Sequence, residues 1–274
     1  MLDIQINNIN KSSFSLKRYD EEVLHIANSN QYHIILFSKN CECEVNFKPC
    51  KVKNTQVLFL NDSDAFICKT KGNIVSRFSF DYKVFDKDHC ETERLINGLL
   101  FDSLLNCNLL TFNAEEFLKF KLQLDKIISF QNKENFKKLS LVFKEIITQT
   151  IAKKHKQLFS EQEISKGHQT VYKYLSLLNE HFKIEHNVFK YAQILRVQPK
   201  FLTKVFFDLK IENPKHFLNQ RILIASKNLL TYTTDTATSI SYDIGFNEPA
   251  YFNRFFKKNT GLTTKEFRAY KSAT

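Results

Sequence analysis

Over residues 1–90, short apolar runs alternate with clusters of turn formers, and no helical period intervenes. His33-Ile34-Ile35-Leu36-Phe37, Val57-Leu58-Phe59-Leu60 and Ile74-Val75-Ser76-Arg77-Phe78-Ser79-Phe80 read as strands. Ser38-Lys39-Asn40, Asn61-Asp62-Ser63-Asp64 and Lys71-Gly72-Asn73 supply the turns. Cys41-Glu42-Cys43-Glu44-Val45-Asn46-Phe47 alternates strictly, which predicts a half-buried strand with Cys41, Cys43, Val45 and Phe47 inward. Strands at this spacing suggest an antiparallel barrel or sandwich, a shape whose mouth can hold a small ligand. The inward-facing positions offered to such a ligand include Phe37, Cys43, Phe59 and Phe78.

From about residue 91 to 157 the period becomes helical. Phe117, Phe120, Leu124, Ile127 and Ile128 recur at steps of three and four, as do Phe136, Leu139, Phe143, Ile146 and Ile147. Broken at Gln131-Asn132-Lys133, they predict a helical pair whose stripes serve either the chain's own core or a second subunit. The polar stretch 160–170, with Gly167, reads as a linker. The chain thus divides into 1–159 (β-rich to 90, then helical), the linker, and 171–274.

The last segment contains an internal duplication. Pro199-Lys200-Phe201-Leu202-Thr203-Lys204-Val205-Phe206 aligns with Pro249-Ala250-Tyr251-Phe252-Asn253-Arg254-Phe255-Phe256 at an offset of 50, and Phe217 with Phe267. Upstream, Ala192 and Leu195 align with Ser241 and Ile244 at an offset of 49. Each copy reads as helix, tight turn, helix. Gly245 suits the left-handed backbone of such a turn, and Arg196 in the other copy suits it less. Between the copies, Asn213 can cap a third helix with Pro214 in its first turn. Its apolar face runs through Phe217, Leu218, Ile222, Ala225, Leu229 and Leu230.

Charge sharpens this picture. The 274 residues carry a net charge of +11, divided as −1 over residues 1–110, +4 over 111–167 and +8 over 168–274. Positive charge concentrated on a helix-turn-helix repeat fits a polyanion, since neutralised phosphates release counterions. Five Gly and four Pro leave no material for a Gly-rich phosphate loop or a long Pro-rich linker. No apolar run approaches the ~18 residues of a membrane span, and no export signal is visible, so a cytoplasmic protein with no membrane partner is expected.

Six cysteines, Cys41, Cys43, Cys50, Cys68, Cys90 and Cys107, are then expected as reduced thiols. Their spacing has no C-x2-C knuckle, and His25, His33 and His89 stand apart, so neither a metal nor another cofactor is expected. Core packing is the first reading of the cysteines, and a metal- or thiol-dependent sensor or repair protein is the alternative.

Ile240-Ser241-Tyr242-Asp243-Ile244-Gly245-Phe246, followed by Tyr251-Phe252-Asn253-Arg254-Phe255-Phe256-Lys257-Lys258 and Gly261, resembles the signature of the AraC/XylS family of bacterial transcription regulators. Arg221-Ile222-Leu223 and Leu229-Leu230 are similar to that family's linker helix. The resemblance covers about 171–270 and implies a seven-helix DNA-binding domain, preceded by a cupin-like sensing and dimerising domain. The fold class expected is therefore α+β. It further implies promoter duplex DNA, a small-molecule effector, a second copy of the chain and RNA polymerase as partners, and no catalysis.

Carried over by position, the base-reading residues are Lys200, Thr203 and Lys204 in one helix, and Ala250, Asn253 and Arg254 in the other. Their chemistry agrees: Asn suits adenine, Arg suits guanine, and Ala can touch a thymine methyl. Lys257 and Lys258 are placed on phosphates, which position without specifying. Phe201, Leu202, Val205 and Phe206, with Phe252, Phe255, Phe256 and Phe267, are assigned to the core by helical spacing. Departures from the family pattern are Thr264 for Pro after Gly261, Ile211 for Gly before Pro214, Ser241 for Ala, and Phe207 for Lys. The competing reading is an architectural DNA binder indifferent to sequence.

Overall fold

Strict alternation and β-branched runs become strands where the sequence places them, and the side of the sheet each residue faces is set by pairing. The computed structural model describes residues 14–17, 23–27, 29, 31–69, 74–81, 96–104, 108–129, 136–159 and 164–272. The expected turns at 71–73 and 131–133, the stretch 160–163, and His89, Cys90 and Cys107 lie outside the described residues. The chain forms two units, 1–164 and 165–274.

In the first unit, β1 (Phe14–Lys17), β8 (Ile74–Phe80), β3 (Tyr32–Phe37), β6 (Gln56–Leu60) and β9 (Leu109–Thr111) form one antiparallel sheet in that order. A second contains β2 (Val23–Ile26), β7 (Phe66–Lys69), β4 (Cys41–Val45) and β5 (Lys48–Val52). Ile35, Phe37, Leu58 and Leu60 of the first sheet pack with Leu24, Cys43, Val45, Phe66 and Cys68 of the second, as in a β-sandwich. Helices α1 (Ala114–Ser129) and α2 (Phe136–Phe159) complete the unit.

Three expectations are corrected here. Phe47 is not on the inner face of β4: Asn46 and Phe47 both take positive φ, 51° and 64°, and form the two-residue turn that pairs Val45 with Lys48. Asn46 anchors that turn, donating to Asp64 at 2.7 Å and accepting from the Ala65 amide at 2.9 Å. The stretch after 90 also holds a strand, because Leu109–Thr111 pairs with β6 before the first α-helix begins. Finally, Phe59 and Phe78 face away from the inter-sheet core. Phe59 meets Phe101 and Phe120, and Phe78 meets Phe143 of α2.

His33 lies on the strand face of Ile35 and Phe37, 2.8 Å from the Ser79 hydroxyl and 2.5 Å from that of Ser29. Burial, reinforced by the charge of Arg77, lowers its pKa from 6.5 to about 3. Below pH 6.5 the unfolded chain therefore takes up a proton that the folded chain refuses. The stability this contributes is complete above pH 6.5 and is lost as pH falls towards 3. We expect a slope of up to about 1.4 kcal/mol per pH unit, removed in His33→Gln. Urea unfolding at pH 7 and pH 5 measures it, and equal slopes in the two proteins would contradict the assignment.

Among the described residues the second unit comprises seven helices: α3 (Lys166–His181), α4 (Val188–Ile194), α5 (Pro199–Asp208), α6 (Pro214–Tyr232), α7 (Ala237–Asp243), α8 (Pro249–Thr260) and α9 (Thr264–Ser272). The linker expected over 160–170 stops short of its last residues. Ser165 caps α3 by accepting from the His168 amide, while the His168 ring accepts from the Ser165 amide at 3.2 Å. Asn213 caps α6 as expected, accepting from the His216 amide at 2.9 Å.

Candidate nucleic-acid interface

The duplication recurs hydrogen bond for hydrogen bond. In the first copy the amides of Leu195, Arg196 and Val197 donate to the carbonyls of Tyr191, Gln193 and Ala192. In the second, Ile244, Gly245 and Phe246 donate to Ile240, Tyr242 and Ser241, each 49 residues on. Arg196 and Gly245 both take the left-handed conformation, at φ 56° and 86°. The helices that follow, α5 and α8, both start on proline, whose missing N–H costs nothing at a first helical position.

These two helices present one face to the core and the other to solvent. Leu202, Val205 and Phe206 are buried in α5, and Phe252 and Phe256 in α8. Lys200, Thr203 and Lys204 are exposed on α5; Ala250, Asn253, Arg254, Lys257 and Lys258 are exposed on α8. The residues picked out by position therefore share the open face of each helix.

Two positions differ from expectation. Phe201 is 45% exposed rather than core, because Leu202, Val205 and Phe206 already fill the inward stripe. Its repeat counterpart Tyr251 is 56% exposed, so both helices carry an outward aromatic beside the polar set. The Arg254 guanidinium lies over the Tyr251 ring at 4.7 Å. At the end of α5 the left-handed residue is Lys210, φ 55°, and not the aligned Ile211; Gly261, φ 77°, fills that role after α8. Phe207 is 79% exposed there, where α8 has Lys257 and Lys258.

Sequence reasoning missed what holds the face in place. Thr264, read only as a lost proline, donates its hydroxyl to Asn253 Oδ1 at 3.3 Å and so orients the amide. His186, between α3 and α4, donates from its ring Nε2 to the Ile244 carbonyl at 2.9 Å and packs on Phe246. Lys215 at the start of α6 donates to the His186 carbonyl at 2.9 Å. Burial holds the His186 pKa below its ordinary value, which leaves the ring neutral at pH 7. Arg268 of α9 donates to the Leu230 and Asp235 carbonyls, closing the far end of α6. The linker helix is thus pinned at both ends.

Residues 191–270 match the family model of the helix-turn-helix domain. The second unit contains a helix-turn-helix domain. The transcriptional activator RhrA of Rhizobium meliloti is 29% identical over 83 residues, 30% of this chain and 26% of its own length. The activator RhaS of an Enterobacter species is 24% identical over 100 residues, 36% of each. The chain thus spans between about a quarter and a little over a third of the length of the curated relatives it matches. ToxT of Vibrio cholerae, in its crystal structure with an unsaturated fatty acid, is 15% identical over 96% of this chain and 97% of its own, with a TM-score of 0.44.

The effector positions expected in the first unit are packed solid. Phe37, Phe59 and Phe78 have no exposed surface and Cys43 is buried. An open cleft of about 420 Å³ lies instead between α1 and α2, floored by Phe112, Phe120 and Ile146 and rimmed by Lys119, Lys153 and Lys156. Lys153 is paired with Glu116 at 2.8 Å. Among the described residues, no helix is long and apolar enough to cross a membrane.

Proposed function

We propose that the chain is a sequence-specific transcription regulator, an activator that answers to a small molecule and binds promoter duplex DNA through α5 and α8. The observation that carries this reading is the hydrogen-bonded duplication that exposes a polar, cationic face on both helices. At ~1.5 Å per residue, the 19 residues of α6 make a strut of ~28 Å. With the width of the flanking helices, that suits two successive major grooves, ~34 Å apart on one side of a duplex. Regulation by this route needs no chemical step, and its setting is the cytoplasm, with RNA polymerase as the further partner.

Selection from a random duplex pool tests the reading. Enrichment of two short blocks about one helical turn apart is expected. Salt-dependent binding without enrichment would replace the proposal with an architectural DNA binder.

The first unit would provide the effector response and the second copy. Leu118 and Leu122 of α1, and Leu141 and Val142 of α2, are exposed apolar side chains. Pairing with the same face of a second chain would cover them. The double variant Leu118→Glu, Leu122→Glu is expected to shift sedimentation from dimer to monomer; an unchanged dimer would place the interface elsewhere.

A further inference from the structure

Four cysteines converge on the inner face of the four-stranded sheet. Cys43 on β4 stands directly opposite Cys50 on β5 and Cys68 on β7, and Cys41 and Cys50 pack against the same core. All four are thiols, none of them in a disulfide. Among the described residues no group of three or more His, Cys, Asp or Glu side chains is placed to hold a metal ion. The chemistry open to the cluster is that of paired thiols.

The four are not equivalent. Cys43 turns its sulfur to the Cys50 carbonyl at 3.4 Å. The Cys68 thiol points at Cys41, sulfur to sulfur 3.7 Å, with the Glu42 carbonyl at 3.8 Å. Cys41 is half-buried, while Cys68 is buried. The last paired position between β4 and β7 is Cys43 with Cys68, so Cys41 lies two residues beyond the ladder that would hold the strands at fixed spacing. A disulfide needs sulfurs about 2.05 Å apart, an approach of about 1.7 Å from the present contact.

We propose that Cys41 and Cys68 form a dithiol oxidised by peroxides, with Cys41 as the attacking sulfur and Cys68 as the resolving one. The hydrogen bond from Cys68 lowers the Cys41 pKa, and the same bond together with burial raises that of Cys68. The thiolate therefore develops on the more accessible sulfur. Cys41 attacks one peroxide oxygen: an S–O bond forms, the O–O bond breaks, and the departing oxygen leaves with a proton as water or an alcohol. The Cys68 sulfur then attacks the Cys41 sulfenic acid. The S–S bond forms, the S–OH bond breaks, and hydroxide leaves with the Cys68 proton as water. Two thiols lose two electrons, and one peroxide gains them. The product ties β4 to β7 covalently, a modification independent of any effector or DNA.

The test uses the reduced full-length chain treated with a slight molar excess of hydrogen peroxide, alkylated, and mapped by peptide mass spectrometry without reductant. The expected product is a Cys41–Cys68 linked peptide that a thiol reductant reverses. Cys68→Ser should leave a Cys41 sulfenic acid trapped by dimedone, Cys41→Ser should leave Cys68 unmodified over the same interval, and Cys43→Ser should keep the link. Oxidation of Cys41 no faster than that of Cys43 and Cys50 would overturn the proposal. A bond joining Cys43 to Cys50, or one drawing in Cys90 or Cys107, would do the same.

Discussion

Replacing Gly245 by alanine is expected to destabilise the helix-turn-helix unit by about 2–5 kcal/mol, the largest effect of any single methyl group in that unit. Gly245 has φ 86°, where an L side chain is strained by roughly 1–2 kcal/mol. A Cβ there would also sit 2.2 Å from the Lys183 carbonyl oxygen and 2.8 Å from its carbon. Both are backbone atoms of the α3–α4 connection, so relief requires moving the loop that His186 ties to Ile244 and Lys215 ties to α6. Gly261 provides the control. It has nearly the same φ, 77°, but no atom lies within 4 Å of the point where an alanine methyl would sit, so Gly261→Ala carries the strain alone, about 1 kcal/mol. Urea unfolding followed by amide exchange in α7 and α8 separates the two. Equal losses in both variants would show that the close approach to Lys183 contributes nothing. Because that approach joins the first copy's loop to the second copy's turn, Gly245→Ala should also disturb the relative placement of α5 and α8.

That contact explains the limit of what the sequence discloses. The duplication was legible because two copies of one pattern check each other: Pro199 with Pro249, Phe206 with Phe256, Arg196 with Gly245. The hydrogen bonds that repeat at an offset of 49 carry the same information. A glycine in one copy announces a left-handed turn, and so predicts it at Arg196, where no local signal exists. What joins the copies has no such echo. His186 and Lys183 meet the second turn once, through a contact some 58 residues apart in sequence, and no period marks it.

The same reason accounts for the misplaced strands' faces. Ile34, Ile35, Leu36 and Phe37 are all apolar and all buried, one set against the opposite sheet and the other beneath helices, so alternation cannot say which is which. Phe59 and Phe78 were therefore visible as core, but not as the helix-facing side of it. The turn at Asn46-Phe47 was hidden because Phe47 continues the alternation that it ends.

Arg254→Ala is expected to reduce affinity for the preferred duplex by roughly tenfold to a hundredfold, about 1–3 kcal/mol, with little loss on unrelated duplexes. Arg254 is exposed on α8, and its guanidinium rests on the Tyr251 ring at 4.7 Å, which limits the orientations it must lose on reaching a guanine. Tyr251→Ala should then cost specific affinity in the same direction but to a smaller degree. Lys257→Ala is expected to behave differently: it should weaken all duplexes alike and reduce the slope of log affinity against log salt by about one. Between these extremes stands Asn253, whose Oδ1 already accepts from Thr264 and keeps a second lone pair for an adenine amino group. Thr264→Val removes that hydroxyl while preserving shape, so discrimination at one base position should fall without a change in salt slope. Fluorescence anisotropy on matched and scrambled duplexes at several salt concentrations distinguishes these behaviours. Should Arg254→Ala weaken every duplex equally, Arg254 would be contacting phosphate and not a base edge, and the choice of sequence on α8 would fall to Asn253.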